Sequence, residues 1–186
     1  MTALTGLICG GLLALALALF LRHRLGFLGQ KPEDYAGGTH FDLRRALNGP
    51  LICEGAIYGP TGRVTSRFVG QFHVAWQGNT GVMDEHFTYD DGTEQRRSWT
   101  LTLGNDGRIR ARADDLVGDG AGVQSGSAVQ LKYRLRLAEA QGGHVLDTTD
   151  WMYLAPNGTI INRSQFRKFG ITVAELIATI RPREAT

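Results

Sequence analysis

The sequence predicts one all-β domain, an antiparallel up-and-down barrel of about eight or nine strands, and three observations carry that expectation. The first is strict alternation. Between 129 and 137 the odd positions are Val129, Leu131, Tyr133, Leu135 and Leu137, with Gln130, Lys132, Arg134 and Arg136 between them, so one face is apolar and one is wet. The second is the regular return of turn residues: Gly59-Pro60, Gly78-Asn79, Asp91-Gly92, Asp106-Gly107, Gly142-Gly143 and Asn157-Gly158 punctuate the chain from Leu51 onward. The third is length, since 186 residues suit one domain with its own core. A sandwich is the competing architecture. Closure into a barrel is favoured because it removes the exposed edges of an open sheet.

Taken in order, residues 1–25 open with the charge-free run Leu4 to Leu21, LTGLICGGLLALALALFL, long enough to be expected as an N-terminal transmembrane helix. The alternative is a secretory signal, with Ala16-Leu17-Ala18 as its cleavage site, but no Lys or Arg precedes the apolar run. The expected placement is a single-pass bacterial inner-membrane protein. Arg22, Arg24 and Lys31 follow the segment and would by charge alone hold the domain on the cytoplasmic side.

Residues 26–46 mix glycine, proline and charge and read as a linker, in which Phe41 to Leu47 has room for one or two helical turns. Residues 47–182 are the barrel. In the segment 64–76 the residues Val64, Phe68, Phe72, Val74 and Trp76 share a face, with Gly70 where a strand can bend. Ile171 to Ile180 is expected as the closing strand. Gly118 to Gly126 reads as a flexible loop, because it lacks the Gly-Lys-Ser/Thr ending and following helix of a phosphate loop.

Composition excludes several classes. Twenty basic and eighteen acidic residues are mixed along the chain, net +2, which leaves no footprint for a nucleic-acid partner. Cys9 lies in the apolar run and Cys53 in the domain, so no intradomain disulfide is available. No nucleophile-elbow context supports a hydrolase triad. The histidines are scattered singly, apart from His86 two residues from Asp84, so neither a metal nor another cofactor is expected.

The hairpin at Asp91-Gly92 carries the most information. A three-residue loop, Asp90-Asp91-Gly92 with Gly92 in the left-handed conformation, pairs Phe87 with Gln95, Glu85 with Arg97 and Met83 with Trp99. Glu85 and Arg97 then face each other among Met83, Phe87, Tyr89, Trp99 and Leu101. In a barrel interior neither charge is stable without the other. A register-fixing ion pair and a ligand anchor both fit this arrangement; general acid–base chemistry at Glu85 or Asp115 is the third reading.

The motifs Trp76-Gln77-Gly78, Asp84 through Gly92, Arg97-x-Trp99, Asp114-Asp115, Asp150-Trp151-Met152-Tyr153, Asn162-Arg163 and Lys168-Phe169-Gly170 together resemble the DUF3833 family, uncharacterised and often lipid-anchored proteins of the bacterial envelope. The resemblance runs from about Leu47 to Arg181 and implies an envelope setting, with the domain on the periplasmic side, but no chemistry. It marks the same residues that alternation singles out. The combined expectation is a membrane-anchored, lipocalin-like barrel that binds a hydrophobic or amphipathic small molecule, a lipid among the candidates. Its site residues are Glu85, Arg97, Trp99, Tyr89, Trp76, Tyr133, Trp151, Asp115 and Arg163, and Phe72, Phe87 and Leu131 complete the cavity wall. The alternative is a packed structural or interaction module of the envelope.

Overall fold

The computed structural model describes residues 2–183, the side chains of 2–4 and 22–23 excepted. Leu4 and Arg22, used above to argue the N-terminal segment and its orientation, thus have side chains outside the described residues. Ten antiparallel strands close in sequence order into one barrel, with β1 paired to both β2 and β10. They are β1 (Gly49–Tyr58), β2 (Val64–Gln77), β3 (Thr80–Tyr89), β4 (Glu94–Leu103), β5 (Arg108–Arg112), β6 (Gly120–Ser125), β7 (Ala128–Arg136), β8 (Val145–Leu154), β9 (Ile160–Lys168) and β10 (Ile171–Pro182). Eight or nine strands had been expected. The extra strand is β6, GAGVQS, whose glycines hide any alternation. Those glycines are functional in packing: a Cβ on Gly122 would stand 2.3 Å from Leu131 Cδ2.

A second correction concerns the N-terminus. Helix α1 (Thr2–Leu25) forms, but among the described residues no helix is long and apolar enough to cross a membrane. Its described side chains are those of residues 5–21 and 24–25. They are exposed, Leu7 and Leu13 by 75% and 73%.

Alternation decides what each strand buries. β2 points Phe68, Gly70, Phe72 and Val74 inward in turn, and Gly70 makes room for its neighbours, since a Cβ there would meet the rings of Phe72 and Phe87. The ends of the barrel differ. At the end formed by the β2–β3, β4–β5, β6–β7 and β8–β9 turns, the segment before β1 acts as a plug. Asp42 caps the single-turn helix α2 (Leu43–Ala46) by accepting from the Arg44 N–H at 3.0 Å. This turn drives Phe41, Leu43 and Leu47, each 1% exposed or less, into the core. Trp76 seals the join by donating its indole N–H to the Leu47 carbonyl at 2.7 Å.

Residues 26–36 cover the outside of the wall. Phe27, Leu28 and Tyr35 pack on Ala128, Trp151 and Tyr153 of β7 and β8. Tyr153 donates to Gln30 Oε1 at 2.7 Å, and Tyr35 donates to the same oxygen. This outer layer explains why β8 is buried on both faces. At the opposite end of the barrel, β9 and β10 meet in the two-residue turn Phe169-Gly170, both at positive φ (52° and 78°), with Phe169 89% exposed. That backbone suits Asn-Gly and strains a bulky side chain.

Candidate functional site

The site grows from one register. Glu85 pairs with Arg97, Phe87 with Gln95 and Met83 with Trp99, and Gly92 sits at φ 83° in the connecting loop, as the three-residue loop predicts. Glu85 and Arg97 therefore share the inward face, where their side chains are 7% and 17% exposed and Arg97 Nη1 lies 3.8 Å from Glu85 Oε2. That separation is an ion pair without a hydrogen bond.

The hydrogen-bonded partner of Arg97 is Asp115, from the β5–β6 connection: Nε donates to Oδ2 at 2.7 Å and Nη2 to Oδ1 at 3.0 Å. This two-pronged contact fixes the plane of the guanidinium, which lies 4.8 Å over the Trp99 ring. Burial works against the Arg97 charge, but Asp115 and Glu85 outweigh it and raise its pKa, so it is a permanent cation. Trp99 in turn donates its indole N–H to Glu85 Oε2 at 3.2 Å. Burial nonetheless pushes the Glu85 carboxyl up to about 7, against the pull of Arg97 and Trp99.

A second carboxyl joins from β8. Asp150 accepts from Ser164 Oγ at 2.8 Å and from the Asn162 side-chain amide, both on β9. Burial raises its pKa despite those donors. Tyr133, edge-on to Trp99 with ring centroids 5.2 Å apart, has its hydroxyl pKa raised by burial and by Asp150. Burial and then Glu85 and Asp150 raise the pKa of the Cys53 thiol on β1, which keeps it un-ionised and a poor nucleophile.

These groups line an inner chamber of about 100 Å³, walled otherwise by Phe72, Phe87, Leu131 and Met152 among others. Above it, at the end away from the plug, a vestibule of about 680 Å³ is lined by apolar residues such as Ile57, Leu135 and Val173, with Tyr89, Asp114, Asp115 and Arg136 on its wall. Arg97, Phe68, Phe87, Phe166 and Leu176 line both spaces. The polar cluster thus stands at the neck between them.

Of the residues chosen from sequence, the structure brings together Glu85, Arg97, Trp99, Tyr133 and Asp115, with Tyr89 at the vestibule donating to Gln95 Oε1 at 2.7 Å. Three lie elsewhere. Trp76 belongs to the plugged end. Trp151 is fully buried, but beneath Tyr35 and stacked on Tyr153, because its neighbours Asp150 and Met152 take the inward positions of β8. Arg163 also faces outward, paired with Glu175 and 4.9 Å over the Phe27 ring. Asp84 and His86 are turned away from the chamber wall as well, engaged by Ser98 and Glu94. Sequence reasoning missed Asp150, Asn162 and Ser164 as the inward members of their pairs. The signal was present: Asp150 shares parity with Met152, and Asn162 and Ser164 with Phe166.

A family model matches residues 23–182, which takes in the barrel, its plug and its outer layer. The chain belongs to the DUF3833 family, proteins of unknown function. No curated protein matches this DUF3833 chain. Among solved structures, the S-type phycobiliprotein lyase CPES from Guillardia theta is similar at a TM-score of 0.56 and 8% identity, over 76% of this chain and 91% of that one. Rv2717c from M. tuberculosis is similar at 0.54 and 15%, over 76% and 97%. At such identities the DUF3833 chain shares a fold with them, that of a lipocalin-like barrel.

Proposed function

We propose that this barrel binds an amphipathic small molecule through its open end, the apolar body in the vestibule and a polar group reaching the neck at Arg97. The observation that carries the reading is continuity: five residues, Arg97 among them, wall both the vestibule and the inner chamber. A vestibule of about 680 Å³ falls within the range of ligand sites, roughly 300–1,000 Å³. It is also mainly apolar with a few convergent polar groups, which is how such sites combine affinity with orientation.

A packed interaction module would need the interior filled. The inner chamber, at about 100 Å³ among aromatic rings, comes near that description; the vestibule does not. The test is titration of the full chain with Nile red, a neutral apolar fluorophore, beside Ala113→Trp, which fills the vestibule wall. Saturable one-to-one binding that the substitution abolishes is expected. Absence of saturable binding, or equal binding by the variant, would overturn the proposal.

A further inference from the structure

We infer that the polar group this barrel admits to its inner chamber is a cationic or hydrogen-bond-donating nitrogen directed at Glu85, and not a carboxylate or phosphate seeking Arg97. The inference rests on the binding reading above and sharpens it to a ligand class.

Charge comes first. Among the described residues, Arg97 is the one cation lining the chamber, and three carboxyl groups surround it: Glu85 and Asp150 in the chamber wall and Asp115 on the guanidinium itself. An anion entering the chamber would meet a guanidinium whose Nε and Nη2 are already committed to Asp115 and whose face is covered by Trp99. It would also approach two further carboxyls at low dielectric, where like charges repel strongly. A cation meets the reverse.

Hydrogen bonding points the same way. Asp150 is provided for by Ser164 and Asn162. Glu85 is not: Trp99 and Arg97 both address Oε2, and no donor among the described residues reaches Oε1. Oε1 is not sealed in the wall, and Glu85 lines the chamber, so that oxygen is open to a donor placed there. An ammonium, amidinium or amide N–H from a ligand would supply that donor.

Size fits as well. About 100 Å³ accommodates the nitrogen end of an alkyl or aryl amine, while the vestibule holds the apolar remainder. The groups facing Glu85 from the surrounding elements are Arg97 (β4), Asp115 (β5–β6 connection), Asp150 (β8), Tyr133 (β7) and Cys53 (β1). Arg97 alone among them is positive, and Asp115 neutralises it.

The experiment is displacement of Nile red from the full chain by octylamine, octanoate and octanol at pH 8, repeated on Glu85→Gln, which preserves shape and one acceptor oxygen. Octylamine is expected to compete at least about tenfold better than octanoate, the worth of one charge-assisted hydrogen bond, and to lose that advantage in the variant. Equal or better competition by octanoate, or displacement by none of the three, would overturn the inference and leave the binding reading standing. Failure of Nile red itself to bind would take down both. The comparison among ligands on the unaltered protein carries the decision even if the variant folds poorly.

Discussion

The two ends of the barrel bury similar side chains for different purposes. At the plugged end Phe41, Leu43 and Leu47 are 1% exposed or less, and Trp76 is tied to the plug through the Leu47 carbonyl. At the other end Ile57, Leu135 and Leu176, on the same inward parity, are only partly buried around an open vestibule. The strands run the length of both ends, so alternation along them does not distinguish the two. What distinguishes them is the segment before β1, which fills one end and leaves the other to the polar neck.

The largest test of that contrast is truncation. Phe41→Ala is expected to cost about 3–5 kcal/mol, because a sealed site has no way to collapse, whereas Leu135→Ala should cost under about 1.5 kcal/mol where the removed atoms faced open space. Urea unfolding measures both, and equal losses would erase the distinction between the ends. Next in size is the neck itself. Asp115→Ala strands Arg97 beside Trp99 and is expected to cost about 2–4 kcal/mol, while the adjacent exposed Asp114→Ala should stay within about 0.5 kcal/mol.

Proton linkage gives a third test. Glu85 titrates near 7 in the folded protein and near its ordinary 4.5 when unfolded, so the native state holds the extra proton between those values. Stability should therefore fall as pH rises from about 4.5 through about 7, by on the order of 3 kcal/mol. Asp150, also raised, adds to the slope with the same sign. Thermal melts of Glu85→Gln across this window should show a shallower decline than the unaltered chain, and an unchanged slope would remove Glu85 as its source. The smallest effect belongs to the turn beyond the vestibule: Phe169→Asn, at φ 52°, should gain about 0.5–1 kcal/mol by relieving left-handed strain.

Much of this was legible in the residues. The Glu85–Arg97 register followed from the face each residue takes and from a glycine placed to turn the loop, both strictly local facts. β6 was hidden because a strand of Gly-Ala-Gly shows no alternation, and its reason for being glycine is the approach of Leu131 from the next strand. Trp151 and Arg163 are expected in the interior as members of the Asp150-Trp151 and Asn162-Arg163 motifs, yet both face outward. The outer layer of residues 26–36, which buries Trp151 from outside, is a tertiary fact that no strand pattern announces. The same two motifs also hold the inward residues, Asp150 and Asn162, which do join the interior cluster.

The most direct test of the binding reading is native mass spectrometry of the full chain purified from its own host, with the bound fraction extracted and weighed, beside Ala113→Trp. One reproducible small-molecule adduct on the unaltered chain, absent from a variant with the same melting temperature, is the expected result. A bare chain mass, or an adduct that survives filling of the vestibule, would contradict it.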